Sequence, residues 1–227
     1  MRRLGVITGI AREADCLSVL PPERRPLARC SGASSARALA HARALIAEGC
    51  HGLVSFGIAG GLHPDLAAGT VIVADRVIAP DGRAIQTSEP WRQGFVAACR
   101  GASITIAAIA GSERIVGGMA EKRALAATTG AAAVDMESHA VAAAAAVAGV
   151  PVLVVRAVAD AATRRLPEWV VTCVAADGSR RWGAVAAGVL RNPGDLGVLM
   201  ALAGDSARAI EALRGVAGRA GPLFGLP

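Results

Sequence analysis

The feature that most constrains this chain is an alternation. Short runs of Val, Ile, Leu and Ala, about four to eight residues long, are separated by stretches with helical periodicity. Strands are predicted at Leu4–Ile7, Gly52–Phe56, Thr70–Val77, Ile104–Ala110, Ala131–Val134 and Val152–Ala159. Most are apolar at every position rather than at every second one, as strands covered on both faces require. Helices are predicted at Arg12–Leu20, Ser35–Glu48, Met119–Thr128, Met136–Ala148, Gly183–Leu190 and Leu196–Ala217. Strands and helices taking turns predict an α/β fold, a three-layer αβα sandwich, and 227 residues suit one domain spanning 1–227.

Composition narrows the function classes. Hydrophobic residues make up 53% of the chain, enough for a large core, which excludes global disorder. Aromatics are only 3%, so the stacking platforms of a single-stranded nucleic-acid binder are missing, and no nucleic-acid partner is expected. The net charge of +6 comes almost wholly from arginine, with Lys122 the sole lysine. No basic run has the length of a binding arm, so an anionic partner and a plain arginine-rich bias both remain open. The five cysteines, Cys16, Cys30, Cys50, Cys99 and Cys173, form no CxxC and no zinc spacing. They predict reduced thiols, hence the cytoplasm, and no metal. The chain opens on a strand pattern rather than a signal peptide, and no stretch has spanning character.

In an open α/β sheet, ligands collect beyond the carboxyl ends of the strands. Here the first strand is followed by Thr8-Gly9-Ile10-Ala11-Arg12-Glu13, and the second by Gly57-Ile58-Ala59-Gly60-Gly61. Asp135-Met136-Glu137-Ser138 follows Ala131–Val134, and Asp160 closes the last strand. Four strand ends thus deliver glycines and acids to one rim. Each residue alone has a bland alternative. The glycine stretch is not a dinucleotide fingerprint and can be a tight turn. Glu137 can complement a helix dipole, Met136 can fill a core gap, Asp160 can cap a helix, and Glu13 can be a solvated surface acid. The irregular segment 161–182, with Trp169 and Trp182, is long enough to be functional.

Taken together, these motifs resemble the nucleoside phosphorylase/nucleosidase superfamily. Ser55 to Leu62, then Gly69-Thr70-Val71-Ile72-Val73, looks like its glycine loop and following strand. Val134-Asp135-Met136-Glu137-Ser138 and Pro151 to Asp160 resemble its ribose-binding Met-Glu pair and its catalytic Asp. Thr8 to Glu13 is similar to the N-terminal loop of methylthioadenosine/S-adenosylhomocysteine nucleosidases, which carries a water-activating glutamate. Further along, Leu166-Pro167, Asp177-Gly178, Arg191 to Leu196 and Asp205-Ser206-Ala207-Arg208 look like the tail of the hopanoid-associated phosphorylases, and the short stretch between Leu20 and Ser31 suits that branch.

The resemblance implies a mixed central sheet and cleavage of a purine N-glycosidic bond. It implies Asp160 and Glu13 as catalytic residues, and Glu137, Met136, Ala59, Gly60 and Gly61 as substrate-binding residues. No organic cofactor or metal is implied; inorganic phosphate is a candidate co-substrate. The hopanoid branch implies release of adenine from adenosylhopane, a lipid nucleoside, with peripheral contact at the inner membrane face; the alternatives are a salvage nucleosidase for small thio-nucleosides or a phosphate-dependent phosphorylase. A third class, a binding protein that keeps the fold without turnover, is disfavoured by retention of all three acids. The family also implies a homo-oligomer, most simply a dimer. Ile58 stands where the nucleosidases often have Ser, and no clear arginine set follows the glycine loop to cradle phosphate.

Overall fold

The structure is a computed structural model that describes residues 3–164, 167, 169, 187, 188 and 191–227. Eight strands are joined in one mixed sheet among the described residues. β1 (Leu4–Thr8) lies between β2 (Leu27–Cys30) and β3 (Gly52–Gly61), all parallel. β8 (Val152–Asp160) runs parallel to β3 on one side and antiparallel to β4 (Val71–Ile78) on the other. β4 also pairs with β5 (Ala84–Gln86) and β6 (Ile104–Gly111); β6 pairs with β7 (Ala133–Asp135). β7 then returns to the far end of β3. The mixed sheet is the one expected, but it is not open: β3, β8, β4, β6 and β7 form a ring of hydrogen-bonded neighbours.

Side-chain alternation assigns each strand residue to a helix layer. On β8, Val152, Val154 and Val158 pack with α2 (Ser35–Ala47) and α5 (Ser138–Ala148). Leu153, Val155, Ala157 and Ala159 face the other layer, with α3 (Glu89–Ala98) and the C-terminal helix Leu196–Ala220. Arg156 falls between Val154 and Val158, so its side chain belongs to the α5 face. α5 is nearly all alanine and valine, which lets it lie close on the strands. Gly149, at φ 67°, ends it in the left-handed conformation that a residue without Cβ adopts readily. On the second layer, Trp91 is buried and its indole N–H donates to the carbonyl of Phe224 at 2.8 Å.

Several expectations need correction. The second strand does not stop at Phe56. Residues 57–61 remain in β3, paired with β8 on one side and, at Gly60 and Gly61, with β7 on the other. The glycines serve close approach within a sheet rather than a tight turn. The predicted helix Arg12–Leu20 shortens to α1 (Ala11–Ala14) followed by a 3₁₀ segment Asp15–Val19. β2, β5 and α3 were not anticipated. β2 and β5 are short strands with exposed residues, and α3 carries Pro90 and Gly94, which read as breakers. Gly94 is required there, since a Cβ would stand 2.3 Å from the carbonyl oxygen of Gly225. The predicted helix Gly183–Leu190 lies mostly outside the described residues.

Candidate active site

Glu13 is not a surface acid. It is buried, and three backbone N–H groups converge on its carboxylate: Gly9 at 2.6 Å and Ile10 at 3.0 Å donate to Oε2, and Ile58 at 2.9 Å donates to Oε1. Those donors suit an ionised carboxylate, which has about four lone-pair sites. One site on Oε1 is left over for a further donor. Burial pushes the Glu13 carboxyl above its ordinary range, opposed by the nearby Arg156 charge and by the three N–H groups. Ile58 acts through its backbone, so the contact is indifferent to the side chain at that position.

The second group is built on Arg156, which is fully buried. Its Nε donates to Asp135 Oδ2 at 2.5 Å, and Nη2 donates to Ser55 Oγ at 2.7 Å and Ser138 Oγ at 3.1 Å. Nη2 also lies 3.5 Å from Glu137 Oε2, while Nη1 has no hydrogen-bond partner among the described residues. Glu137 stands at the N-cap position of α5, but its side chain makes no capping hydrogen bond. The Ser138 N–H at the helix start is taken instead by Asp135, at 3.2 Å to Oδ2, and Asp135 Oδ2 also accepts from the Ser138 hydroxyl at 2.5 Å. The Ser138 N–H is thus satisfied without the Glu137 carboxyl. Burial raises that carboxyl to about 8, helped by the charges of Asp135 and Glu13 and opposed by Arg156. Three carboxyl groups, Glu13, Asp135 and Glu137, crowd one guanidinium, and Asp135 takes its Nε.

Two glycines make this crowding sterically feasible. A Cβ on Gly9 would stand 2.9 Å from Glu137 Oε1 and 3.3 Å from Glu13 Oε2. A Cβ on Gly57 would stand 2.5 Å from Arg156 Nη1 and 2.7 Å from Glu13 Oε1. Both acids and the arginine thus pack onto bare backbone.

Asp160 ends β8 opposite Gly60, where the pairing with β3 slips at a bulge. No described helix begins at Asp160, so it is not an N-cap. Its Oδ2 is bonded by the Lys122 ammonium, and a Cβ on Gly60 would stand 3.4 Å from Oδ1. Burial raises the Asp160 carboxyl, with Lys122 pulling the other way and Asp205 adding to the rise. Arg156 is paired with Gly57 and Asp160 with Gly60. Three strand residues span about 10 Å, comparable to the length of a nucleoside. Ala59 and Gly61 are buried on the same strand, and Met136 joins β7 to Glu137, half-buried.

The structure therefore brings Glu13, Glu137, Met136, Ala59, Gly60, Gly61 and Asp160 along one strand end, as the sequence suggested. Sequence reasoning missed Arg156, Asp135, Ser55, Ser138 and Lys122. A signal existed for two of them: a lone arginine inside an apolar strand, and a sole lysine. Among the described residues no cluster of metal-ligating side chains occurs. The Trp169 indole N–H donates to Asp195 at 2.7 Å, and its ring lies against Gly188. Leu166, Trp182, Cys173 and the Asp177-Gly178 turn lie outside the described residues. Arg164 pairs with Asp205 at 2.8 Å.

Residues 23–191 match the family described as the phosphorylase superfamily. The chain belongs to that superfamily. A search of curated proteins returns no match. Among solved structures, a 5′-methylthioadenosine/S-adenosylhomocysteine nucleosidase from Helicobacter pylori with butyl-thio-DADMe-Immucillin-A is 16% identical with a TM-score of 0.69, covering 95% of this chain and 97% of that one. The same organism's nucleosidase with another inhibitor is 20% identical, with a TM-score of 0.65 over 71% and 86% of the two chains. Its futalosine hydrolase is 18% identical, with a TM-score of 0.64 over 70% and 88%. At these identities the similarity establishes the superfamily fold, an α/β architecture around a mixed sheet.

Proposed function

We propose that this superfamily member cleaves the N-glycosidic bond of a purine nucleoside. The observation that carries the reading is the placement of two unlike acidic centres, about 10 Å apart along β3. Breaking the bond needs a proton for the departing base and stabilisation of the cationic sugar. Asp160, raised by burial, is the proton donor to the base. Glu137 holds the sugar hydroxyls, Met136 packs against the sugar, and Ala59, Gly60 and Gly61 offer a flat backbone surface beneath the base. Glu13 orients and deprotonates water through its remaining lone pair. This favours hydrolysis. Among the described residues a phosphate anion would meet the carboxyl groups of Glu13 and Glu137 around one guanidinium, Arg156, whose Nε is bonded to Asp135. Incubation with an adenine nucleoside, with and without phosphate, tests this directly. Free ribose at an unchanged rate is expected; phosphate-dependent release yielding ribose 1-phosphate overturns the hydrolytic reading.

The finer reading is release of adenine from adenosylhopane, supported by the motifs between residues 166 and 208. This makes the enzyme cytoplasmic with peripheral membrane contact and, in keeping with the family, a homodimer. No described helix is long and apolar enough to cross a membrane. A small thio-nucleoside substrate is supported equally well by the likeness to a methylthioadenosine-type nucleosidase over 95% of the chain. Competition between adenosylhopane, methylthioadenosine and adenosine in the presence of vesicles separates them. Preference for the lipid nucleoside is expected; a tenfold advantage for methylthioadenosine, about 1.4 kcal/mol, removes the lipid assignment.

A further inference from the structure

Lys122 is the sole lysine of the chain, and it is fully buried. It sits on α4 (Met119–Thr129), where it is the one buried residue of the helix. Taking an ammonium out of water is expensive unless every donor is matched. Here all three are: Nζ bonds Asp160 Oδ2, the carbonyl of Ala161 at 3.1 Å and the carbonyl of Arg164 at 3.4 Å. A helix that needed only to pack would present an apolar side chain at this position. This one drives a charge through the protein to reach one oxygen of one carboxyl, leaving Oδ1 without a hydrogen bond from the described residues.

We propose that Lys122 is the positioning residue for Asp160, clamping one carboxyl oxygen so that the other is presented to the purine. The inference rests on the nucleosidase reading above. Besides burial and this lysine, two charged groups act on Asp160: Asp205, on the C-terminal helix, and Arg164, on the turn after β8. Asp205 is itself held by Arg164 and Arg208, so its charge is largely compensated. Among the described residues Lys122 is the cation in direct contact with Asp160. It opposes the effect of burial on Asp160, and so sets how far up the pH scale the carboxyl keeps its proton.

Lys122→Met should lower kcat for base release at neutral pH by tenfold or more, with KM changed less than threefold. The alkaline limb of the kcat–pH profile should move up by about 1–3 pH units, since a neighbouring opposite charge depresses a carboxyl by that amount. Lys122→Arg should keep the limb near its wild-type position. In Lys122→Ala, added ethylammonium should restore rate while tetramethylammonium should not. A merely structural lysine would lower activity without moving the limb. Should the variants fail to fold, the wild type still decides. With ¹³C-lysine labelling the chain gives one side-chain Cε signal, and this should shift with the same midpoint as the alkaline limb. A signal unchanged across that limb, or a Lys122→Met profile that superposes on that of the wild type, overturns the role of the lysine alone. Absence of purine release from any nucleoside by the wild type overturns the function on which it rests.

Discussion

A carboxyl group is catalytic or inert according to what surrounds it, and the acids of this chain show the range. Asp135 is spent on structure, receiving Arg156 and the head of α5. Glu13 is held by three N–H groups, and Asp160 by an ammonium. Asp160→Asn keeps the size of the side chain and loses the acid proton. Base release should fall by ~10²–10⁴ with the fold intact, measured as adenine liberated per enzyme alongside a circular dichroism melt. Wild-type turnover in a folded Asn variant removes Asp160 from the mechanism. The three acids were legible because each follows a strand, and strand ends form a rim. Their states were not, because protonation depends on neighbours far away in sequence, such as Lys122, 38 residues before Asp160.

At the level of elements, β8 does most to build the site. It lends apolar residues to both helix layers, breaks its own pattern once with Arg156, and ends on Asp160. Arg156→Met should destabilise the protein by about 3–5 kcal/mol, because it leaves Asp135 buried without its cation. Adding Asp135→Asn should recover part of that loss. The check is denaturant unfolding of the two single variants and the double variant; strict additivity would mean that the pair is not coupled. β8 was read from the sequence almost to the residue, as an apolar run between Pro151 and an acid. β3 was cut short at its glycines because propensity counts them as breakers. What overrides propensity is pairing on both sides, together with the need for bare backbone under Arg156 and Glu13.

For the molecule as a whole, Glu137 links stability to pH. Its carboxyl is raised from 4.5 to about 8, so the folded protein binds this proton more tightly than the unfolded chain does. Between those values the native state carries more protons, and stability falls as pH rises. The contribution is complete below about 4.5 and lost above about 8. Glu137→Gln keeps the shape and cannot ionise. It should melt above the wild type at pH 9 and converge with it near pH 5, by differential scanning calorimetry at both values. A gap that is constant with pH means that Glu137 titrates normally.

The ring of strands carries one last consequence, for the order of events in folding. β3 is made early on the ribosome, but its partners β7 and β8 begin only at Ala133 and Val152. Until the chain has grown past Asp160 the ring has a gap, and the acids beside it stand in water, ionised. Contacts between partners so distant in sequence slow folding, because a long loop must close before they are rewarded. Closure sets Arg156 and Asp160 of β8 beside Gly57 and Gly60 of β3, and so completes the surroundings in which Glu13 and Glu137 are buried.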